Sequence, residues 1–454
     1  MTLMPSALRN PRAPGTGQFM ICLAVVIGIA WLVPTVFPEA IVGLLGVGGV
    51  ILALRHPTAF WLGWILVTGL SLEMALADII GPEAFQPTIA VTKGGEIALV
   101  TLTIIRFGCL ADKFNPAFGF VWMAATGLAF GLYPGVTHSD VARSLVGSVA
   151  PFLVFYCVKP AGWGSAIRTA VTFIPLLSVT LGTALDVAGL RSVVFDAGGL
   201  RLSGLGHPAF LAGICLPAIY SGLLRWLRTG SARAVPLLVI NLTILLLTGA
   251  RAPAAYAAVV VLGSLVLAPG GAIPRVKRQA IAVALIVALP LLVIVGEAYG
   301  SFRLFEVLAE QPDNLSGRDQ LWPSFEAAAA QAPWLGWGLG SANLIIPHDS
   351  QLAVLLGTWA AHNEYLRLQV EGGYIGRGLL ILLFVVWISS HTRRLPRLER
   401  TVMRLIFVTY AAHAATDNVL ISSPACVFFA FVAAVFANTH DVRSIRLRDT
   451  PEVA

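Results

Sequence analysis

Long apolar runs recur from residue 19 to residue 437, broken by short polar stretches. The candidate membrane spans are 19–37, 40–54, 58–77, 94–110, 116–133, 143–158, 166–187, 208–224, 235–249, 253–268, 279–296, 375–390, 402–416 and 419–437. Leu, Ala, Val and Ile fill these runs without the alternation of a strand. Backbone polar groups in lipid must also be satisfied within the segment, so helices are the expected form. A crossing needs about 17–20 residues; several runs fall short, notably 40–54 and 235–249, so 12 to 14 transmembrane helices are expected. The pattern predicts an all-α, polytopic membrane protein.

The pattern is interrupted once at length. Residues 297–374 are too polar and too long for a plain connector, and loops of that size usually carry structure or function. The chain therefore reads as N-terminal transmembrane helices over 1–296, a large loop with short helices over 297–374, and C-terminal transmembrane helices with a tail over 375–454. Within the loop, 324–331 reads as helical, Gly336-Trp337-Gly338-Leu339-Gly340 as a tight turn whose glycines are free to take positive φ, and 362–371 as a second helix. No internal repeat or Gly/Ser linker is visible.

Charge gives the threading. With a cytoplasmic N-terminus and every span crossing, 21 of the 30 basic residues fall on the cytoplasmic side, both termini included, as the positive-inside rule requires. On this threading the large loop lies outside the cytoplasm. The nine exceptions are Lys93, Arg143, Arg191, Arg201, Arg251, Arg303, Arg318, Arg367 and Arg377, whose charge topology does not demand. Arg9 and Arg12 ahead of the first run resemble a signal peptide, but no small-residue cleavage site follows, so a retained first helix is expected.

Composition agrees. Hydrophobic residues make up 57% of the 454 and charged residues 12%, which a bilayer accommodates and a soluble core does not. The net charge of +7 is spread in short clusters between apolar runs, so nucleic acid is not an expected partner. The five cysteines have no metal-type spacing. There is no Asp-x-Asp triplet for a metal-bound nucleotide sugar and no Walker-type phosphate loop.

Three places carry candidate chemistry. His362 heads His362-Asn363-Glu364-Tyr365, and on a helix it would share a face with Tyr365, Leu366 and Gln369 near the outer membrane surface. An imidazole there is poised to take a proton at neutral pH, or is a loop histidine bonded locally. Arg251, at the tip between two short apolar runs, is either an interfacial anchor or a guanidinium fork for phosphate oxygens. Arg318, Arg201 and Lys93 read by themselves as loop or headgroup contacts, Lys93 closing a short outside loop ahead of a span. His348 reads as solvated.

Taken in order, these segments resemble the O-antigen ligase and O-antigen polymerase superfamily of bacterial envelope proteins. The resemblance rests on Thr248-Gly249-Ala250-Arg251, on Ser316-Gly317-Arg318 with Trp322, on Pro333-Trp334-Leu335-Gly336-Trp337-Gly338-Leu339-Gly340, and on His362-Asn363 followed by Gly373 and Gly376. It covers roughly residues 200–390; Ala250 stands where the family often has Ser, and Gly372 adds a glycine before the matched one. The resemblance implies a GT-C-like, all-helical glycosyltransferase of the bacterial inner membrane. Such a protein takes a glycan from undecaprenyl diphosphate at the periplasmic face and passes it, with inversion, to an acceptor hydroxyl on a glycolipid or glycan, without metal or other cofactor. It implies His362 as catalytic base and Arg251 and Arg318 as diphosphate ligands, with Arg201 and Lys93 as weaker candidates for phosphate contacts. Lipid A–core as acceptor defines a ligase and a second lipid-linked repeat unit a polymerase. A flippase for lipid-linked glycans is the rival from another class, disfavoured because the inner spans are poor in charge.

Overall fold

The structure, a computed structural model, describes residues 49–196, 200–298, 320–356 and 358–448. The expected span 19–37, most of 40–54, and Arg303 and Arg318 lie outside these residues. The chain divides into two units, Met1–His56 and Pro57–Ala454. The first contributes one described helix, Gly49–Arg55.

The second unit is helical, as the apolar runs require. Its helices are α1 (Pro57–Gly69), α2 (Leu72–Ile80), α3 (Phe85–Phe107), α4 (Ala117–Phe130), α5 (His138–Leu153) and α6 (Trp163–Val187). A short antiparallel pair follows, β1 (Val194–Asp196) with β2 (Leu200–Leu202), in which Phe195 faces Arg201. Then come α7 (Pro208–Thr229), α8 (Val235–Leu247), α9 (Arg251–Leu267), α10 (Arg275–Ala298), α11 (Trp322–Gln331), α12 (Gln351–Leu356), α13 (Glu364–Thr392), α14 (Arg397–His413) and α15 (Ser423–Arg448). The strand pair is absent from the sequence reading, because three-residue strands leave no periodicity to read.

Among the described residues four helices have the length and apolarity of a full crossing: Pro87–Phe107 within α3, α6, α7 and α13. Shorter apolar helices include α4 and α9. The expected span 58–77 is two helices, because Ser71 takes a left-handed φ of 52° between α1 and α2. Large apolar side chains such as Ile105 (69% exposed) and Val408 (68%) point outward, as the lipid-facing surface of a membrane protein requires.

The bundle is organised around α7. Of its most apolar 18-residue window, 78% is buried, against 28% for each of the other three long helices. It packs on α6, α8, α9 and α15 through Leu211, Ile214, Ile219, Leu223 and Leu227. Away from His362, buried Phe152, Trp387 and Phe429 lock α5, α13 and α15 together, with the Phe152 and Phe429 rings 4.5 Å apart. Trp387 donates its indole N–H to Asp112 at 2.8 Å, so the buried ring leaves no unmet donor.

Candidate functional site

His362 owes its position to a small core of its own. Leu321, Phe325, Ala329, Ala342, Ile346, Ala361 and Val370 bury one another beneath residues 320–361. Trp322 of α11 donates its indole N–H to the Ala361 carbonyl at 2.9 Å, fixing the chain one residue before the histidine. His362 itself lies ahead of α13, correcting the expected helical placement: its φ is +46°, a left-handed conformation uncommon outside glycine. Asn363 is the true N-cap, its side chain accepting from the Leu366 N–H at 3.2 Å. The strained residue turns its imidazole away from the α13 face.

That turn delivers the ring to Asp417, in the loop between α14 and α15. Glu364 N–H donates to the Ala414 carbonyl at 2.7 Å, and the Tyr365 hydroxyl donates to the Ala411 carbonyl at 2.9 Å, so the start of α13 is stapled to the end of α14. His362 Nδ1 lies 3.0 Å from Asp417 Oδ1, and Nε2 lies 2.9 Å from the Thr358 hydroxyl. A carboxylate at Nδ1 favours the tautomer with its proton there, leaving the lone pair on Nε2. Asp417 Oδ1 also accepts from the Asn418 N–H at 2.8 Å, which holds that oxygen toward the ring.

The pair opens on a cavity of about 290 Å³ whose walls include Lys93, Tyr256, His362, His413 and Asp417 among apolar residues of α3, α7, α14 and α15. Lys93 lies inside α3, not in a loop, and donates to the Ile421 carbonyl at 3.0 Å. Glu73 and Glu96, both buried, are within electrostatic reach of its ammonium, and Glu73 accepts from the Ser423 hydroxyl at 2.5 Å. A second cavity, about 950 Å³, shares Ile89, Lys93 and Ile421 with the first and runs past Arg143, Asn343, His348 and Trp359. The exposed His348 ring packs 4.1 Å from Trp359.

Arg201 on β2 donates to the Thr248 carbonyl at 2.9 Å, which ties the strand pair to the α8–α9 tip. That tip turns at Gly249 (φ +65°), and half-buried Arg251 opens α9, whose second turn carries the cavity residue Tyr256. His207, the N-cap of α7, stands in the same electrostatic neighbourhood. Burial first, then the charge of Arg201, push its pKa down to about 4, with Asp417 opposing and His362 adding to the fall. The fold thus brings Lys93, Arg201, His362 and the Arg251 tip to one end of α7.

The glycine-rich turn has a mechanical part. Gly336, Gly338 and Gly340 have φ of 70°, 83° and 94°, the positive values expected from the sequence. Trp337 and Gly338 N–H donate to the Val370 and Glu371 carbonyls at 2.8 and 3.0 Å, while Tyr374 and Ile375 N–H donate back to Pro333 and Trp334 at 2.8 and 3.1 Å. This exchange is possible because α13 breaks at Gly373 (φ 59°, ψ −165°), exposing backbone groups a continuous helix would consume. A Cβ on Gly373 would lie 2.4 Å from the Trp334 carbonyl carbon. Buried Arg367 joins the same clamp, paired with Glu364 and, at 2.5 Å, with Glu371, whose other oxygen accepts from Gly340 N–H at 3.0 Å. Glu364, Arg367 and Glu371 are therefore interior, where the sequence reading set them in an outside loop.

Asp417 and His207 were missed by sequence reasoning. A signal for Asp417 exists: it is the only acidic residue between Glu399 and Asp441, set between two apolar runs. Among the described residues no group of three His, Cys, Asp or Glu side chains is arranged to hold a metal ion.

Apolar outward faces, one long buried helix among others exposed to their surroundings, and a polar cluster at its end describe a membrane protein with a chemically equipped cavity. Residues 236–383, which include α9, the glycine-rich turn, His362 and the broken part of α13, match the family model described as O-antigen ligase. The match places this stretch in the O-antigen ligase and polymerase superfamily. A comparison with curated proteins gives no match.

Proposed function

We propose that the protein transfers a glycan from undecaprenyl diphosphate to an acceptor hydroxyl, in the manner of an O-antigen ligase acting on lipid A–core. The observation that carries this reading is the His362–Asp417 pair, 3.0 Å apart at the wall of a cavity, in a chain whose residues 236–383 match the ligase family. The positive-inside charge distribution supports a multi-pass protein of the bacterial inner membrane with this end of α7 in the periplasm and both termini in the cytoplasm.

The acceptor hydroxyl takes the place now held by the Thr358 hydroxyl at Nε2. His362 removes its proton as the oxygen attacks the anomeric carbon from the face opposite the diphosphate. The new C–O bond forms as the bond to the diphosphate oxygen breaks, so the configuration inverts and the electron pair leaves with the diphosphate. Asp417 stabilises the imidazolium that forms, as a carboxylate does behind a catalytic histidine. Diphosphate is already a competent leaving group, so the remaining task is charge. Arg251 carries it, with Arg318 by resemblance, as a preorganised cation in poorly hydrated surroundings. Arg201 fixes the tip from which Arg251 projects. Lys93, shared by the two cavities, serves donor and acceptor phosphate alike, and the presence of two adjoining cavities supports a reaction of two large substrates. No step calls for a metal.

Purified protein given an undecaprenyl-diphosphate oligosaccharide tests this, with lipid A–core in one tube and further donor in the other, each with and without EDTA. Product on lipid A–core identifies a ligase; a ladder of lengthening donor identifies a polymerase. His362→Ala abolishes either product while leaving membrane insertion intact, and Arg251→Ala weakens donor use. Folded protein inactive in both tubes would favour the flippase reading.

A further inference from the structure

A second polar site lies at the far end of α7. The helix has 22 residues, about 33 Å at 1.5 Å per residue, which matches the hydrocarbon thickness of a bilayer. His207 caps one end; Arg225 and Arg228 occupy the last two turns at the other. There a cavity of about 310 Å³ is lined by three arginines (Arg168, Arg225 and Arg228) and five hydroxyl residues, with no apolar side chain among them.

Its base is fixed and its rim is open. Thr172 donates its hydroxyl to Ser221 at 3.1 Å, Ser221 to the Arg168 carbonyl at 3.1 Å, and Asn241 holds the Thr172 carbonyl at 3.0 Å. Arg225, Arg228 and Ser165 are exposed. Arg225 and Arg228 both bear electrostatically on Arg168, as does Glu399, which sits 3.5 Å from Arg228 Nε. Among the described residues that bear on Arg168, the arginines outnumber the one carboxylate, and the concavity is basic. Ser165 lies in the first turn of α6, so the positive end of that helix dipole adds to the field.

We propose that this cavity binds a phosphate or diphosphate group at the membrane face opposite His362. Guanidinium forks and hydroxyl donors are the groups that recognise phosphate oxygens, and basic pockets between membrane helices hold lipid phosphates. Such a group comes from an anionic lipid headgroup or from a soluble diphosphate. The site is independent of the transfer chemistry.

The test is thermal unfolding of the purified full chain in neutral detergent, titrated with cardiolipin, phosphatidylcholine or inorganic pyrophosphate. R225Q/R228Q removes two exposed charges, and R393Q/R394Q, also exposed, removes two elsewhere. At about 1 kcal/mol per basic side chain, the first double variant weakens anion binding about 30-fold and R225Q alone about 5-fold. R393Q/R394Q changes it less than about 3-fold. A shift with cardiolipin but not pyrophosphate assigns a lipid headgroup; a shift with pyrophosphate assigns a soluble source. Equal losses in the two double variants, or no anion-dependent shift in the unmodified protein, would overturn the proposal.

Discussion

Asp417→Asn isolates what the carboxylate contributes to His362. One oxygen, Oδ1, accepts from both His362 Nδ1 and the Asn418 N–H. An amide in its place keeps its oxygen on the Asn418 N–H, so the hydrogen bond to Nδ1 and the tautomer survive and the negative charge alone is lost. An imidazolium and a carboxylate about 4 Å apart between charge centres attract by about 4 kcal/mol at an effective dielectric of 20. The two side chains are 25% and 33% exposed, and water screens them to about 2–3 kcal/mol. That is a loss of about 30- to 200-fold in kcat. Asp417→Ala loses orientation as well, and falls about 10³- to 10⁴-fold, near the full worth of a general base. The assay is steady-state glycan transfer in detergent, with thermal unfolding as the folding control. Equal defects in the two variants, or Asp417→Asn with more than a third of the original kcat, would refute the assignment of Asp417 as a charge partner.

Three further outcomes are expected. Arg367→Gln strands Glu364 and Glu371 as buried carboxylates and costs about 3–5 kcal/mol, seen as a large fall in Tm. Gly373→Ala meets both a positive φ and the Trp334 carbonyl, and destabilises by at least about 2 kcal/mol; Gly378→Ala in the same helix meets nothing within 4 Å and stabilises by up to about 1 kcal/mol. His207 is held neutral in the fold, with its pKa pushed down to about 4 from an ordinary value near 6.5. The unfolded chain then binds the extra proton between those values, so stability is full above about pH 6.5 and is lost as pH falls toward 4, by up to about 3 kcal/mol. Unfolding followed from pH 7 to 4 in detergent checks this, and His207→Gln flattens the curve.

Legibility followed the range of each interaction. Apolar runs announced α6, α7 and α13, because burial in lipid is read from local composition. Gly336, Gly338 and Gly340 announced their turn, because positive φ is a demand a single residue meets. The α1–α2 break at Ser71 was hidden, since a left-handed serine has no signature in hydropathy. His362 was singled out but placed on a helix, because the core that stops α13 short at Asn363 is assembled from residues 321–370.

The amino-acid sequence by itself determined that the chain is helical and apolar enough for a membrane, and it singled out His362 and Arg251 as candidates for chemistry. Tertiary structure alone decided what those residues meet. Asp417 lies 55 positions from His362, and Ile421 lies 328 from Lys93, distances over which neither hydropathy nor local propensity carries information. The burial of Arg367 was equally hidden, since the sequence marked it only as one of the basic residues outside the cytoplasm. Its partners at three and four residues' distance sit inside the clamp made by the glycine turn and the broken helix, and burial there is a property of packed neighbours that no single segment contains.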